Sequence, residues 1–382
     1  MKKSCLLLAV ILFFAAPALA KGAAYKLSGP YVHHNLQIFL IHGPEQIKAQ
    51  KYVTLTEAME KKLVVVHETG QVSQLAIENQ SNDVAVFIHS GDIVKGGRQD
   101  RVLSFDVIIP PKSGKIPLSS FCVESGRWAQ RGKEKAGHFA SNRDMISSRA
   151  LKIAAKHNRN QGEVWSNVAA QQQKLNDNLR RITGKGGLDV RSGKSASSMQ
   201  LTLENQELKQ TAEDYTQKLS GILEGKNDVV GFAFVINEEV NNADVYGRAD
   251  LFEALWPKLL KSAVVEAIAE FKSPETPTPA RRIKTIGRIA AMFAEVMKGK
   301  SETQDVNKRT RLVTKETKKH LLFETRDQKL AGKWLHRNFI KKPPAPPPTP
   351  KNRRIPGINL NNDNTYQQQR PINPPPQMQQ RR

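Results

Sequence analysis

The first 130 residues alternate between short apolar runs and polar turns. The predicted strands are residues 35–41, 63–66, 71–78, 84–88, 101–109 and 116–123. Runs of this length that recur about every ten residues, with Gly, Pro, Asn or Ser between them, are typical of antiparallel sheets. The pattern predicts a mainly β region over residues 21–130, in which 101–109 and 116–123 form a strand pair.

One short helix is predicted inside this β region. Thr54 is followed three residues later by Glu57, which is the spacing of a capping box. In that motif each side chain bonds to the backbone N–H of the other residue, so two unpaired donors at the helix start are satisfied. The helix should begin at Leu55 and end near Lys62.

After Trp128 the apolar spacing becomes that of amphipathic helices. One stripe consists of Trp165, Val168, Leu175, Leu179 and Ile182, and a second of Leu208, Ala212, Tyr215, Leu219 and Ile222. Apolar residues at such spacings share one helix face. Residues 141–300 are therefore predicted to be mainly helical, with a hairpin near 229–245 and with Trp165 in the core.

These patterns together predict an α+β fold. An antiparallel β-rich, sandwich-like N-terminal half should pack with helices from the C-terminal half as a single domain over residues 21–340. Within it, residues 309–340 carry enough apolar side chains to form a C-terminal packing segment. Residues 341–382 are rich in Pro, Gln and Arg and cannot bury enough apolar surface to fold, so a disordered tail is expected.

Residues 1–20 have the pattern of a secretory signal peptide. Two lysines precede an apolar run over residues 6–14, and Ala18-Leu19-Ala20 is a small-x-small cleavage sequence. The run is too short to span a membrane comfortably. We expect cleavage after Ala20, a periplasmic or secreted protein, and no transmembrane helix in the mature chain. Cys5 would leave with the signal, so Cys122 would have no partner for an internal disulfide.

The charge balance indicates what kind of partner to expect. The chain has 59 Lys+Arg and 36 Asp+Glu, a net charge of +23. Such a protein favours polyanions. For an exported chain, an anionic ligand or an acidic cell-envelope polymer is a better expectation than nucleic acid, and the basic tail is the expected point of adhesion.

Neither a nucleotide site, a metal site nor a cofactor is expected. Residues 187–195 end in Gly-Lys-Ser, but five residues separate the two glycines where a P-loop has four. The histidines show no metal-ligand spacing, since His33 and His34 are adjacent rather than one helical turn apart.

The stretch from residue 90 to 128 holds the most promising site residues. Its glycines permit a close backbone approach, and its basic side chains offer charge to an anion. The candidate ligand-binding residues are Lys95, Arg98, Gln99, Arg101, Glu124, Arg127 and Trp128. The alternative is structural, because the arginines can instead pair with Asp92, Asp100 or Glu124.

Three other residues are weaker candidates. Cys122 is the obvious nucleophile, but it lies in an apolar run, where a cysteine usually behaves as a small buried hydrophobe. Gln161 and Glu163 lie on a predicted helix and can face a cleft. Glu124 beside the arginines is a candidate general base.

Five short motifs along the chain resemble those of a bacterial domain family, named for its association with ARG and rhodanese-phosphatase-superfamily proteins. The motifs are Tyr52/Leu55/Ala58 and residues 91–101, 122–128, 161–165 and 251–256. The resemblance spans roughly residues 30–340 and supports the fold. Because the family has no established activity, the resemblance implies no particular chemistry.

Three functions are consistent with the sequence. The leading hypothesis is an exported domain that binds an anionic ligand or envelope partner through the Gly/Arg hairpin and the Glu-x-Gly-Arg-Trp corner. A second is a hydrolase-like enzyme in which Glu124 acts with the arginines. A third is a purely structural role for these motifs.

Overall fold

The computed structural model describes residues 25–134, 137–273 and 276–343, which belong to one compact unit. The predicted signal peptide and residues 344–382 of the predicted tail lie outside the described residues. The α+β fold expected from the sequence is confirmed, with three sheets and seven α-helices in the described part of the chain.

The element bounds are as follows. The strands are β1 (Lys26–His33), β2 (Leu36–His42), β3 (Tyr52–Thr54), β4 (Val64–Gln71), β5 (Gln74–Asn79), β6 (Ala85–Ile88), β7 (Ile93–Gly96), β8 (Arg101–Leu103), β9 (Val107–Ile109), β10 (Lys115–Cys122), β11 (Phe139–Ala140), β12 (Val229–Ile236), β13 (Glu239–Tyr246), β14 (Lys300–Asp305), β15 (Thr310–Glu316), β16 (His320–Asp327) and β17 (Lys333–Lys341). The α-helices are α1 (Leu55–Glu60), α2 (Arg149–Ile153), α3 (Gln161–Thr183), α4 (Met199–Leu203), α5 (Gln206–Leu219), α6 (Ala249–Ala269) and α7 (Pro279–Val296). A π-helical turn, Ala154–Asn158, follows α2, and short 3₁₀ turns occupy Ser220–Leu223 and Gln328–Leu330.

The largest sheet joins the two ends of the described chain. Its eight antiparallel strands run in the order β1-β2-β12-β13-β17-β16-β15-β14. The sequence predicted only that residues 309–340 pack on the domain. They form β15, β16 and nearly all of β17 in this sheet. Leu321, Leu322 and Phe323 are all buried because the sheet is covered on both faces.

Coverage of both faces explains the unbroken apolar sequence of the central strands. In β2, Ile38 and Leu40 belong to the core cluster that contains α6, whereas Phe39 and Ile41 belong to the cluster that contains α7. Alternate side chains of a strand point to opposite faces. A strand buried on both sides therefore needs an apolar residue at nearly every position.

Two smaller sheets complete the architecture. One has six strands in the order β11-β7-β8-β10-β5-β4, and the other has three in the order β3-β6-β9, with β3 and β6 parallel. The predicted pairing of 101–109 with 116–123 is only partly correct. Strand β8 pairs with β10, but β9 pairs with β6 because the chain leaves the first sheet at residues 104–106.

The helices follow the predicted patterns closely, with one error. The capping box at the start of α1 is present: Thr54 Oγ1 accepts from the Glu57 N–H, and the Glu57 carboxylate accepts from the Thr54 N–H. In α3, however, the buried stripe begins at Val164, and Trp165 is 37% exposed. The expectation of Trp165 in the core was wrong because Val164, one position earlier, shares its face with Val168.

Candidate functional site

Six titratable side chains form a buried cluster where the three-stranded sheet meets the largest sheet. We call it the His89 cluster, and its members are His89, Asp106, Lys156, Asp244, Tyr246 and His336, each no more than 5% exposed. The sequence-based prediction named none of them as a site residue. Buried charges are costly unless they are paired, so the partners of each member determine what the cluster can do.

The topology brings these residues together from distant parts of the chain. His89 directly follows β6, and Asp106 directly precedes β9, the neighbour of β6 in the small sheet. Tyr246 and His336 are partners on adjacent strands of the largest sheet, and their rings stack with centroids 4.4 Å apart. Lys156 reaches the cluster from the π-helical turn. Such turns are frequent at functional sites.

His336 lies between two carboxylates. Its Nδ1 donates to Asp106 Oδ2 at 2.7 Å, and its Nε2 donates to Asp244 Oδ1 at 3.1 Å. Burial lowers the pKa of His336, but the charges and hydrogen bonds of Asp106 and Asp244 outweigh it and raise the pKa above its usual value. The ring is therefore held as an imidazolium between two carboxylates.

Both carboxylates are fully occupied by donors. Asp106 also accepts from the Ser90 N–H at 2.8 Å and from Thr325 Oγ1 at 2.6 Å. Burial raises the pKa of Asp106, but the charges of Lys156 and His336 outweigh it and hold the pKa well below its usual value. Asp244 accepts from the side-chain amides of Asn242 and Asn338, each at 2.8 Å. Both groups are therefore ionised at neutral pH.

Lys156 supplies the second buried cation. Its Nζ donates to Ser90 Oγ at 2.8 Å and lies 4.5 Å from the centre of the Phe323 ring. Burial lowers the pKa of Lys156, although the charges of Asp106 and Asp244 act in the opposite direction. With Lys156 and His336 cationic and the two aspartates anionic, the formal charges of the cluster cancel.

His89 differs from the other members because one of its ring nitrogens has no partner. Its Nδ1 donates to the Ser90 carbonyl at 2.7 Å, whereas its Nε2 has no hydrogen-bond partner among the described residues. Burial, followed by the charge of His336, lowers the pKa of His89 to about 4. A neutral imidazole whose Nδ1 carries the proton leaves a lone pair on Nε2, so His89 can accept a proton.

His89 also lines a small cavity. The cavity has a volume of about 20 Å³, which is enough for about one water molecule. Its lining includes Ser90, Lys156, Asp244, Phe232 and Phe234. A larger surface pocket of about 150 Å³ shares Lys156 with the cavity, and its other charged lining residues are Arg159, Lys300, Glu302 and Glu316.

Three members of the same cluster carry atoms that can bind a metal ion. His89, Asp244 and His336 each offer a ligand atom, and these atoms lie within 4.8 Å of one another. However, His336 already donates through both ring nitrogens, and the Lys156 ammonium opposes a further cation nearby. The arrangement suits proton transfer better than metal binding.

The residues predicted from the sequence form a second buried group. We call its four central members, Asp100, Glu124, Arg127 and Arg131, the Arg–Glu clamp. Arg127 donates to the Glu124 carboxylate at 2.6 and 2.7 Å, and Arg131 donates to Asp100 at 2.8 and 3.0 Å. Glu124 and Asp100 are completely buried, so the guanidinium groups are committed to carboxylates of the chain itself.

The other predicted residues surround this clamp. Lys95 pairs with Glu204 at 2.6 Å, and Gln99 donates to the Glu124 carbonyl at 2.9 Å. Arg98 and Trp128 are exposed, and the Arg98 and Arg101 guanidinium carbons lie 5.5 and 5.3 Å from the Trp128 ring centre. The structure thus brings the predicted residues together, but it seals most of their charge inside.

Cys122 and Gln161 connect the sheet to α3. The Gln161 side chain accepts from the Cys122 N–H and donates to its carbonyl, each at 2.8 Å. The Cys122 thiol contacts Arg101, but burial raises its pKa to about 11 despite that charge. A thiol of this kind is a poor nucleophile. Glu163 lies exposed on the first turn of α3 and accepts from Asn158 at 2.6 Å.

The geometry defines an α+β domain with a satisfied ion-pair clamp and a buried charged cluster. A family model described as the ARG and Rhodanese-Phosphatase-superfamily-associated Protein domain matches residues 24–340. The chain belongs to this family, which confirms the resemblance drawn from its motifs. No curated protein and no solved structure gives a significant match. In the described part of the chain, none of the helices combines the length and apolar character needed to span a membrane.

Replacing Glu124 with Gln tests the structural role of the clamp. The substitution keeps the side-chain shape but leaves Arg127 beside a neutral amide. Removing one member of a buried ion pair typically costs about 3–5 kcal/mol. Because Asp100 also faces these guanidinium groups, we expect E124Q to lower the free energy of unfolding by about 3 kcal/mol in urea titrations. Arg98→Ala, which removes an exposed side chain, should change it by less than about 0.5 kcal/mol. A fully stable E124Q protein would contradict the structural role.

Replacing His89 with Asn tests the neutral state of its imidazole. The pKa of His89 in the folded chain is about 4, below its usual 6.5, so the unfolded chain takes up a proton first as the pH falls. The folded state should therefore lose up to about 2 kcal/mol through this group between pH 7 and pH 4.5. The asparagine side chain of the variant has no titratable group, and its amide can still donate to the Ser90 carbonyl. The free energy of unfolding of the variant should therefore fall by about 2 kcal/mol less than that of wild type over the same pH range.

Urea unfolding of both proteins at the two pH values measures this difference. The other charged groups around His89 are present in both proteins, so their contributions cancel in the comparison. These groups are His336 on β17, Asp244 on β13, Lys156 on the π-helical turn, and Asp92 and Asp106 on the connecting turns. An equal loss in wild type and variant would show that His89 is not held neutral.

Proposed function

We propose that this domain binds a small anionic molecule at the His89 cluster and transfers a proton to or from it. The observation that carries the proposal is the buried, neutral His89, which lines a cavity and whose Nε2 has no hydrogen-bond partner among the described residues. Buried polar atoms almost always have partners. A lone pair left free next to a buried ammonium therefore favours a ligand that supplies the missing donor.

Each member of the cluster has a role in this proposal. His89 accepts the proton, because its low pKa keeps the ring neutral at physiological pH. Lys156 stabilises the negative charge of the ligand, since its Nζ has only one neutral hydroxyl partner, Ser90 Oγ, at 2.8 Å. Asp106 and Asp244 fix the orientation of His336 and offset its charge, so His336 adds no net charge to the site.

The surface pocket gives the ligand a route to the cavity. Lys156 lines both spaces, and Arg159 and Lys300 place further cations at the outer one. Glu302 and Glu316 line the same pocket, so its attraction for an anion rests on an excess of one basic side chain over the acidic ones. Because the inner cavity holds only about one water molecule, a larger ligand requires the π-helical turn that carries Lys156 to move.

For the Arg–Glu clamp we propose a structural role instead of ligand binding or catalysis. Burial raises the pKa of Glu124, but hydrogen bonds from Arg127 and other donors outweigh it and lower the pKa below its usual value. A carboxylate with a lowered pKa and occupied oxygens is a weak general base. Ligand binding at this surface would rest on Arg98 and Trp128, its exposed members.

Small anions test the proposed binding site directly. Acetate, pyruvate and inorganic phosphate are titrated into the full mature chain, and binding is followed by ligand-observed NMR. We expect at least one probe to bind, and Lys156→Met to weaken its binding about tenfold or more, because a charged hydrogen bond is lost. Arg98→Ala should bind like wild type. Failure of all three probes, or unchanged binding by Lys156→Met, would overturn the proposed site.

The same samples separate binding from proton transfer. In D₂O, wild-type protein should accelerate exchange of the pyruvate methyl protons, which lie next to a carbonyl. His89→Asn should keep the binding but lose the acceleration. Binding without any exchange by the wild type would leave a binding protein and remove the catalytic role.

We further propose that the chain is exported and that its basic tail adheres to an acidic envelope polymer. The support is the signal-like pattern of residues 1–20 and the eight Lys or Arg residues against one Asp over residues 341–382. In cell fractionation, wild-type protein should sediment with the envelope and be released by salt. Deletion of residues 341–382 should leave it in the soluble periplasmic or secreted fraction. Cytoplasmic protein would contradict export, and unchanged sedimentation would contradict the role of the tail.

A further inference from the structure

Two histidines and a carboxylate converge on the surface, far from the His89 cluster in the fold. His33 ends β1, His34 begins the turn into β2, and Asp214 lies on α5. Their side chains are 17%, 38% and 56% exposed, respectively. Solvent therefore reaches this group directly, unlike the buried histidines.

The turn conformation explains how adjacent histidines can face the same partner. Successive residues of a strand normally point to opposite faces. His34, however, has a left-handed backbone conformation with φ of 48°, and the two rings lie 4.2 Å apart. Both rings also pack against Tyr215, at 4.9 and 5.2 Å between centroids. The sequence argument against a metal site, which relied on their adjacency, does not hold in the folded chain.

The three ligand atoms already have nearly the spacing that a metal ion needs. His33 Nε2 and His34 Nε2 lie 2.6 and 3.2 Å from the same oxygen of Asp214, Oδ2. All three atoms lie within 4.8 Å of one another. Ligands about 2.0–2.1 Å from a tetrahedral zinc ion are about 3.3 Å apart. Shifts of about an ångström or less at exposed side chains would therefore admit the ion.

We propose that His33, His34 and Asp214 bind a divalent transition-metal ion such as Zn²⁺. The ligands are the two Nε2 atoms and a carboxylate oxygen, a set that suits zinc better than the oxygen-preferring Mg²⁺ or Ca²⁺. Three protein ligands leave the remaining positions open to water. The ion would tie the β1–β2 hairpin to α5, two elements that are far apart in the sequence.

The chain offers a matched control for this site. His42 Nδ1 lies 2.8 Å from Asp228 Oδ1, and Asp228 is 68% exposed. This pair has the same chemistry as the proposed site but lacks the second histidine. A single His–Asp pair provides too few ligands for a specific zinc site.

Zinc binding by the full mature chain is measured by competition with a chromophoric chelator at pH 7.5. We expect one equivalent to bind, and His33→Asn, His34→Asn and Asp214→Asn each to weaken binding at least about tenfold. The shorter Asn side chain cannot place a ligand atom where Nε2 lies. His42→Asn should bind zinc like wild type. With Co²⁺ in place of zinc, the visible absorption of a four-coordinate site should appear in wild type and disappear in the three variants.

The outcomes of this experiment are decisive in both directions. No saturable zinc uptake by wild type, or wild-type affinity in all three variants, would overturn the proposal. An equal loss in His42→Asn would show that zinc binds to surface histidines in general. Because Asp214 is exposed and the two histidines are only partly buried, circular dichroism should show that the variants remain folded, and the result can then be assigned to the lost ligands.

Discussion

The carboxylate–imidazolium–carboxylate triad of Asp106, His336 and Asp244 is the interaction on which the joining of the sheets depends. Asp106 comes from the edge of the three-stranded sheet, whereas the other two come from adjacent strands of the largest sheet. Each carboxylate is completed by further donors. Breaking such a buried set by removing one member leaves an uncompensated charge, which is far more costly than removing the whole set. The triad therefore fixes how the two sheets meet.

The Arg–Glu clamp and the His89 cluster differ in which polar atoms they leave without a hydrogen-bond partner. In the Arg–Glu clamp, the carboxylates of Asp100 and Glu124 accept bonds from guanidinium groups of the same chain. In the His89 cluster, Nε2 of His89 and the Tyr246 hydroxyl have no partner among the described residues. A network in which every polar atom has a partner stabilises the fold, whereas a buried donor or acceptor without a partner beside a cavity is a candidate contact for a ligand. This difference is the basis for the functional role proposed for the cluster and the structural role proposed for the clamp.

Much of the fold could be predicted because its signals are local. The capping box at Thr54 and the apolar stripe of α5 each depend on residues a few positions apart. The exposed position of Trp165 was missed because Val164 next to it fits the same apolar stripe better. The sequence also indicated that the candidate residues between positions 90 and 128 lie close together, since a hairpin and a nearby turn bring Arg101 near Glu124. The sequence left open whether their charges are buried in ion pairs, because that depends on neighbours such as Arg131.

The sequence by itself determined the class of fold, the family and two members of the clamp, Glu124 and Arg127, because periodicity, capping and short motifs act over a few residues. Only the tertiary structure brings together the residues of the two proposed sites. His89, Asp106, Asp244 and His336 are ordinary single residues in the sequence, and His33 and His34 look unsuited to share a ligand. Strand order and a left-handed turn bring them together, and burial changes the pKa values of the first four. Those effects depend on residues more than a hundred positions apart, which no local pattern encodes.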